Sequence, residues 1–315
     1  MSGGVVAISG GIGGAKLSLG LYRVLPTNTL TVIVNSGDDF DHLGLRICPD
    51  LDTTLYTLAG LANTQLGWGR HDETWSFMET LGALGGETWF RLGDRDLALH
   101  VQRTRSLAAG QSLSAFTAGI AQRLAIRAAI VPMSDDPVRT RVRTQDQELA
   151  FQDYFVRLRC APVVRGIRFD GAQGARPAPA AAAALGTRPQ AVIFCPSNPY
   201  LSIDPILSVP GMRALLRSSR APVIAVSPLV AGDAVKGPTA KIMRELGVPL
   251  TAAAVAQHYE GLLDGFVLDA RDQDSAATIG CPVHVTDTLM NSVADRERLA
   301  REVLGFAASL AGSRR

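Results

Sequence analysis

The residues best suited to chemistry in this 315-residue chain are glycines and carboxylates at the ends of apolar runs. The segment 9-SGGIGGAK-16 follows the run Val5–Ser9 and opens a helical pattern. Glycines there let the backbone approach a ligand, and the free N–H groups of a helix N-terminus attract an anion. Gly10, Gly11, Gly13, Gly14 and Lys16 are therefore candidate phosphate contacts. The glycines fall in pairs, so the loop is neither a Walker A sequence nor a clean GxGxxG. A tight turn with no ligand is the plainer alternative.

Carboxylates gather nearby. The second apolar run, 30-LTVIVN-35, leads into 35-NSGDDF-40. Adjacent strand residues point oppositely, so at most one of Asp38 and Asp39 lines a site there. Asp50 and Asp52 in 48-CPDLDTTLYTLAG-60 precede an apolar helix, where either also suits an N-cap. Several carboxylates beside a phosphate loop suit Mg²⁺-assisted phosphoryl transfer. The segment 91-RLGDRDLALH-100 reads by composition as a solvated charged turn before a helix.

Two later segments add polar groups at strand ends. In 196-PSNPYLSIDPIL-207, Ser197, Asn198 and Ser202 offer hydroxyl and amide partners for a phosphate or base. The segment 227-SPLVAGDAVKGPTAK-241 holds Lys236, Gly237 and Lys241. The chain has only three lysines, Lys16 among them, and Lys236 and Lys241 would give the nucleotide site a basic edge. Solvated surface lysines are the competing reading.

The elements that must position these groups form an α/β pattern. Strand, glycine loop, helix (Leu17, Leu21, Leu25) and second strand make the opening of a doubly wound sheet. Helices are expected near 52–62, 73–84 and 112–125, and a strand at 128-AAIVPM-133. Polar alternation in 138-VRTRVRT-144 suggests antiparallel strands, and 171-GAQGARPAPAAAAA-184 has the composition of a linker or a helix start. Parallel strands resume at 190-QAVIFC-195, 221-APVIAVSP-228 and 265-GFVLD-269. The expected architecture is a Rossmann-like doubly wound, mostly parallel sheet with a smaller inserted α+β region. Residues 1–133 and 190–315 form the core and 134–189 the insertion.

Composition excludes other classes. There are 31 Lys+Arg against 29 Asp+Glu, a net charge of +2, which disfavours sequence-independent nucleic-acid binding. Four dispersed cysteines give no CxxC pair, so a reducing cytoplasm is the natural setting. No run of 18 apolar residues predicts a membrane span, and the N-terminus lacks a signal-peptide pattern.

Taken in order, SGGIGGAK, VNSGDD, GLRICPDLDTTLYTLAG, GWGRHDETW, LGDRDLA, PMSDDPV, FQDYFV, CPSNPYLSIDPIL and SPLVAGDAVKGP resemble the CofD/FbiA family. This is the 2-phospho-L-lactate transferase family of coenzyme F-420 biosynthesis, and the resemblance runs to about residue 290. It implies a Mg²⁺-dependent homodimer that takes two substrates. One is Fo, a 5-deazaflavin with a ribityl chain. The other is a guanosine diphosphate joined to a lactyl, enolpyruvyl or glyceryl acid, made by a partner guanylyltransferase. The ribityl hydroxyl attacks the phosphorus bearing the acid, GMP leaves, and F-420-0 or its dehydro form results.

Carried over by position, the resemblance places Gly10–Gly14 at the diphosphate, Asp38 and Asp50 on the metal, and Asp52 and Arg91 against Fo, with Asp52 the catalytic candidate for orienting, or deprotonating, the ribityl hydroxyl. Ser197, Asn198 and Ser202 meet the guanosine diphosphate. Tyr200 stands where many relatives have a glycine-rich or apolar residue, which bears on the contacts around it. The same opening loop also fits a dinucleotide-dependent oxidoreductase, with Asp38 or Asp39 on a ribose. A non-catalytic deazaflavin- or nucleotide-binding protein is the other alternative.

Overall fold

The computed structural model describes residues 3–65, 67–235 and 237–313. Seven strands form the central sheet: β1 (Val5–Ser9), β2 (Leu30–Val34), β3 (Ala129–Pro132), β4 (Ala191–Phe194), β5 (Val223–Val226), β6 (Gly265–Asp269) and β7 (Val283–Thr286). Their order is β3-β2-β1-β4-β5-β6-β7, and every neighbouring pair is parallel. The chain winds outward from β1 on one side and from β4 on the other. Ligands of open α/β sheets bind at this reversal, beyond the carboxyl ends of the strands.

The apolar runs that mark these strands follow from burial on both faces. All residues of β1, β4, β5 and β6 are buried. Val6, Ile8, Val192 and Phe194 feed the core on one face, and Val5, Ala7, Ala191 and Ile193 the core on the other. That is the period-two alternation of a strand. Burying each large aliphatic side chain contributes about 1.5–3 kcal/mol.

Three helices matter for the site: α1 (Gly11–Val24), α2 (Pro49–Leu58) and α3 (Asp94–Ala108). The charged segment expected as a solvated turn before a helix leads into α3 at Asp94. The Asp94 carboxylate accepts hydrogen bonds from the Ser76 and Phe77 N–H groups at the start of helix Ser76–Ala83. Farther along α3, His100 and Arg103 are each only 1% exposed.

Within 134–189, Arg139–Thr144 lies between Glu148–Ala150 and Val164–Asp170 in a three-stranded antiparallel sheet. The alanine-rich stretch is no linker. It forms helix Pro179–Gly186, and Ala181 and Leu185 are fully buried in the main core. Alanine favours helix and loses no side-chain entropy on burial, and Pro179 suits the first turn. The antiparallel sheet shares that core through Val142 and Val164, and the segments beside it through Val138 and Tyr154. Two hydrogen bonds tie this region to the acidic turn after β2: Thr140 N–H to Gly37 O (2.8 Å) and Gln152 Nε2 to Asp38 O (3.1 Å).

Candidate active site at the strand-order reversal

A cavity of about 830 Å³ opens beyond the ends of β1, β2, β4 and β5. The glycine loop forms its floor. Gly10 is extended, and Gly11 has φ +62°, a left-handed conformation that glycine adopts without strain. Ser197 fastens the loop to the end of β4: its hydroxyl accepts from Gly10 N–H (3.1 Å) and donates to Gly10 O (2.8 Å). A Cβ on Gly10 would lie 2.6 Å from Ser202 Cβ and 2.8 Å from Asp50 Oδ2. Gly10→Ala is therefore expected to displace both groups, lowering turnover at least ~10-fold and stability by about 1–3 kcal/mol. Initial rates and urea denaturation check both effects.

The acidic turn and α2 bring two carboxylates to the same cavity. Asp38 and Asp50 both line it and are 7% exposed. Asp39 is buried outside the lining; the two acids lie in a turn after β2, not on a strand, and the turn sends only Asp38 to the cavity. Asn35, fully buried at the end of β2, orients the set. Its amide donates to Asp50 Oδ2 (3.0 Å) and Leu201 O (3.3 Å), and its oxygen accepts from Gly37 N–H (2.8 Å). Burial, followed by the neighbouring Asp50 carboxylate, pushes Asp38 well above the ordinary carboxylate range. Burial pushes Asp50 up to about 6, against hydrogen bonds from Asn35 and the Gly11 N–H.

Two close buried carboxylates, with Asp38 Oδ1 lacking a hydrogen-bond partner among the described residues, fit a hard divalent cation. A second cluster, Asp52, Asp96 and His100, also brings its ligand atoms within 4.8 Å of one another and has the composition of a metal site. There, however, Arg103 already supplies positive charge by pairing with Asp52.

Asp52, expected against Fo, does not reach the cavity. Two residues along a helix is a rotation of about 200°, so Asp50 and Asp52 face opposite sides of α2. Asp50 and Thr53 face the cavity, while Asp52 turns toward α3. Its carboxylate makes a two-pronged pair with the Arg103 guanidinium, which also donates to Arg46 O (3.2 Å). Gly14 likewise lies behind the lining, packed against the Ser9 and Ser197 hydroxyls.

The remaining expected residues divide similarly. Gly10, Gly11, Gly13, Lys16, Arg91, Ser197, Asn198, Ser202 and Gly237 line the cavity with the two acids. Lys16 donates to Met290 O (2.9 Å). Lys236 lies outside the described residues. Lys241 turns away to the antiparallel sheet, where it donates to Pro162 O (2.9 Å) and pairs with Glu245 (2.5 Å).

Asn198 caps a π-helical turn, Pro199–Ile203, accepting from Tyr200 N–H (2.9 Å) and Leu201 N–H (3.0 Å). Tyr200 points into the core, with its ring 4.8 Å from that of His258. Tyr200 is thus absent from the cavity lining, which this segment supplies through Ser197, Asn198, Leu201 and Ser202.

An aromatic wall is the part that motif reading missed. Trp68, Trp89, Phe90, Phe151 and Phe155 line the cavity, and Arg91 stacks on Trp75 at 4.1 Å. The GWGRHDETW and ETWF segments concentrate tryptophan in a chain with only three, which was the available signal.

A doubly wound parallel sheet, with a glycine loop and paired buried carboxylates at its order reversal, defines an α/β enzyme architecture for phosphorylated ligands. The chain belongs to the CofD family: residues 5–304 match the family profile described as 2-phospho-L-lactate transferase CofD. It is similar to a phosphoenolpyruvate transferase of Streptomyces coelicolor, 42% identical over 96% of this chain and 98% of that one. It is also similar to a 2-phospho-L-lactate transferase of Methanosarcina mazei, 38% identical over 95% and 99%. A crystal structure of a UPF0052-family protein from Bacillus halodurans shares the fold, with a TM-score of 0.65 at 14% identity, covering 96% of this chain and 99% of that one. The chain is accordingly a transferase, which removes the oxidoreductase and non-catalytic alternatives. No helix among the described residues is long and apolar enough to cross a membrane.

Proposed function

We propose that this transferase acts in coenzyme F-420 biosynthesis, moving a phospho-carboxylic acid unit from its guanosine diphosphate-activated form to the ribityl hydroxyl of Fo. The observation that carries this reading is the buried Asp38–Asp50 pair facing one cavity with the glycine loop. Like charges held out of water call for a cation, and the adjacent N–H groups call for a phosphate.

In this reading Asp38 and Asp50 hold Mg²⁺, with Asn35 aiming the Asp50 carboxylate. Bound there, the ion would neutralise charge on the diphosphate. The glycine loop and Lys16 bind the diphosphate, and Asn198 and Ser202 contact the nucleotide. Asn198 Nδ2 is a buried donor without a partner among the described residues, suited to a phosphate or ribose oxygen. The aromatic wall and Arg91 fit the flat deazaflavin. The hydroxyl oxygen forms a bond to the phosphorus bearing the acid, the bond from that phosphorus to the GMP oxygen breaks, and the hydroxyl proton is released late. Phosphoryl transfer rests on positioning and charge neutralisation, so no covalent enzyme intermediate is required.

The test is mass spectrometry of products. Fo, GTP and the partner guanylyltransferase are incubated with the chain and competing phospholactate, phosphoenolpyruvate and phosphoglycerate. A phosphodiester of Fo with one of these acids, together with GMP, is the expected outcome. Unchanged Fo in the presence of demonstrable activated acid would refute the reading. A homodimer in the cytoplasm is the accompanying expectation, checked by light scattering and fractionation.

A further inference from the structure

We propose that Arg159 captures the carboxylate of the acid being transferred, an assignment that rests on the function proposed above. The other described cations of the cavity are engaged. Lys16 donates to Met290 O (2.9 Å), and Arg91 stacks on Trp75. Arg157 lies 5.6 Å from the Trp89 ring centre and 3.7 Å from an Asp153 carboxylate oxygen. Arg159 lines the same cavity with no hydrogen-bond, ion-pair or ring partner among the described residues.

The backbone presenting it is unusual. Arg159 (φ +48°) and Cys160 (φ +57°) are the one pair of consecutive non-glycine residues in the left-handed region among those described. L-residues avoid that region unless surrounding structure enforces it, and such outliers gather at ligand sites. Here the enforcement is visible. The π-helix Asp153–Arg157 is closed by Leu158 N–H to Asp153 O and Cys160 N–H to Tyr154 O, both 2.8 Å. Tyr154, fully buried, anchors the turn.

The same segment reaches the acidic turn at its other end, through Gln152 Nε2 to Asp38 O (3.1 Å). It therefore runs from the carboxylates that would flank the reacting phosphorus to an uncommitted guanidinium. The acid is bonded to that phosphorus, so its carboxylate lies only a few bonds away. A guanidinium fork matches a carboxylate with two parallel hydrogen bonds. The diphosphate already has the glycine loop and Lys16, whereas no other described cation is left for the carboxylate.

The experiment compares two activated substrates, lactyl guanosine diphosphate and its isopropyl analogue, in which a methyl replaces the carboxylate. Arg159→Ala is expected to lower kcat/KM for the lactyl compound about 10- to 100-fold while changing that for the isopropyl compound by less than about threefold. Arg159→Lys should restore part of the loss. Arg159 is exposed, and unchanged melting temperatures would confirm intact folding. Equal losses with both compounds would overturn the assignment and move the guanidinium to the diphosphate. No loss with either would overturn it as well. Wild-type chain that makes no product from the lactyl, enolpyruvyl or glyceryl compound would refute the functional reading itself, a result distinct from any effect of the variant.

Discussion

Asp38→Asn is expected to cut turnover by at least ~10²-fold, the scale of losing one strong electrostatic contact in a water-poor site. The structure adds a stability consequence of opposite sign. Asp38 is buried beside Asp50, and its Oδ1 has no hydrogen-bond partner among the described residues. Removing its charge relieves desolvation and repulsion, so the metal-free variant should melt at or above the wild-type temperature. Stabilisation by added Mg²⁺ should disappear, because a ligand stabilises only in proportion to its preference for the folded state. Near-normal turnover, or Mg²⁺ stabilisation equal to wild type, would remove Asp38 from the metal site.

The same carboxylates set a pH dependence. Asp38, Asp39 and Asp50 are all raised, Asp39 to about 7 and Asp50 to about 6, chiefly by burial. A carboxyl with a higher pKa when folded than when unfolded binds protons preferentially in the folded state. Its contribution favours folding at low pH and is lost as pH rises through the folded value. Between about pH 4 and 7, the contribution from these groups therefore weakens as pH rises when metal is absent. Melting in a chelator across that range measures it, and Asp38→Asn should flatten the slope. Saturating Mg²⁺ should oppose the trend, since it binds the ionised forms.

The legible part of this protein was the part written locally. Strands β1, β2, β4, β5 and β6 are short apolar runs, and the glycine pairs sit between a strand and a helix, so both could be read from neighbours in the chain. The antiparallel alternation of Arg139–Thr144 was visible for the same reason. What stayed hidden depends on helix phase or on distant segments meeting. Asp50 and Asp52 look equivalent in PDLDT, and only their rotation about α2 sends one to the cavity and the other to Arg103. The aromatic wall joins tryptophans and phenylalanines of 68–90 to Phe151 and Phe155, more than sixty residues later, and no spacing rule links them. The charged residues 91–96 at the start of α3 stay exposed or half-buried, as their composition suggests, whereas the burial of His100 and Arg103 farther along depends on Asp52 of another helix, which composition cannot reveal.

Arg103→Ala is expected to be the most destabilising single change considered. Arg103 is among the largest fully buried side chains, and it holds Asp52 through two hydrogen bonds while its guanidinium lies 5.6 Å from the Phe116 ring centre. Burial opposes the guanidinium charge, but Asp52 foremost, together with Cys48 and Asp39, offsets that penalty and keeps it firmly protonated. Truncation leaves Asp52 buried with no strong counter-charge, in a cavity the size of the lost side chain. Breaking one half of a buried pair costs about 3–5 kcal/mol. Asp52→Asn should cost less, since the amide keeps the shape and one acceptor while leaving Arg103 bonded to Arg46 O. A double change that replaces both partners with apolar groups of similar volume should recover much of the loss, as removing both charges removes both desolvation penalties. Urea denaturation midpoints at constant slope measure these differences. The pair also fixes the rotation of α2, and with it the direction of Asp50. Apparent Mg²⁺ affinity should therefore weaken in Arg103→Ala even at temperatures where the protein remains folded. Unchanged stability and unchanged Mg²⁺ affinity together would mean that the Asp52–Arg103 pair neither supports the fold nor aims the metal carboxylate.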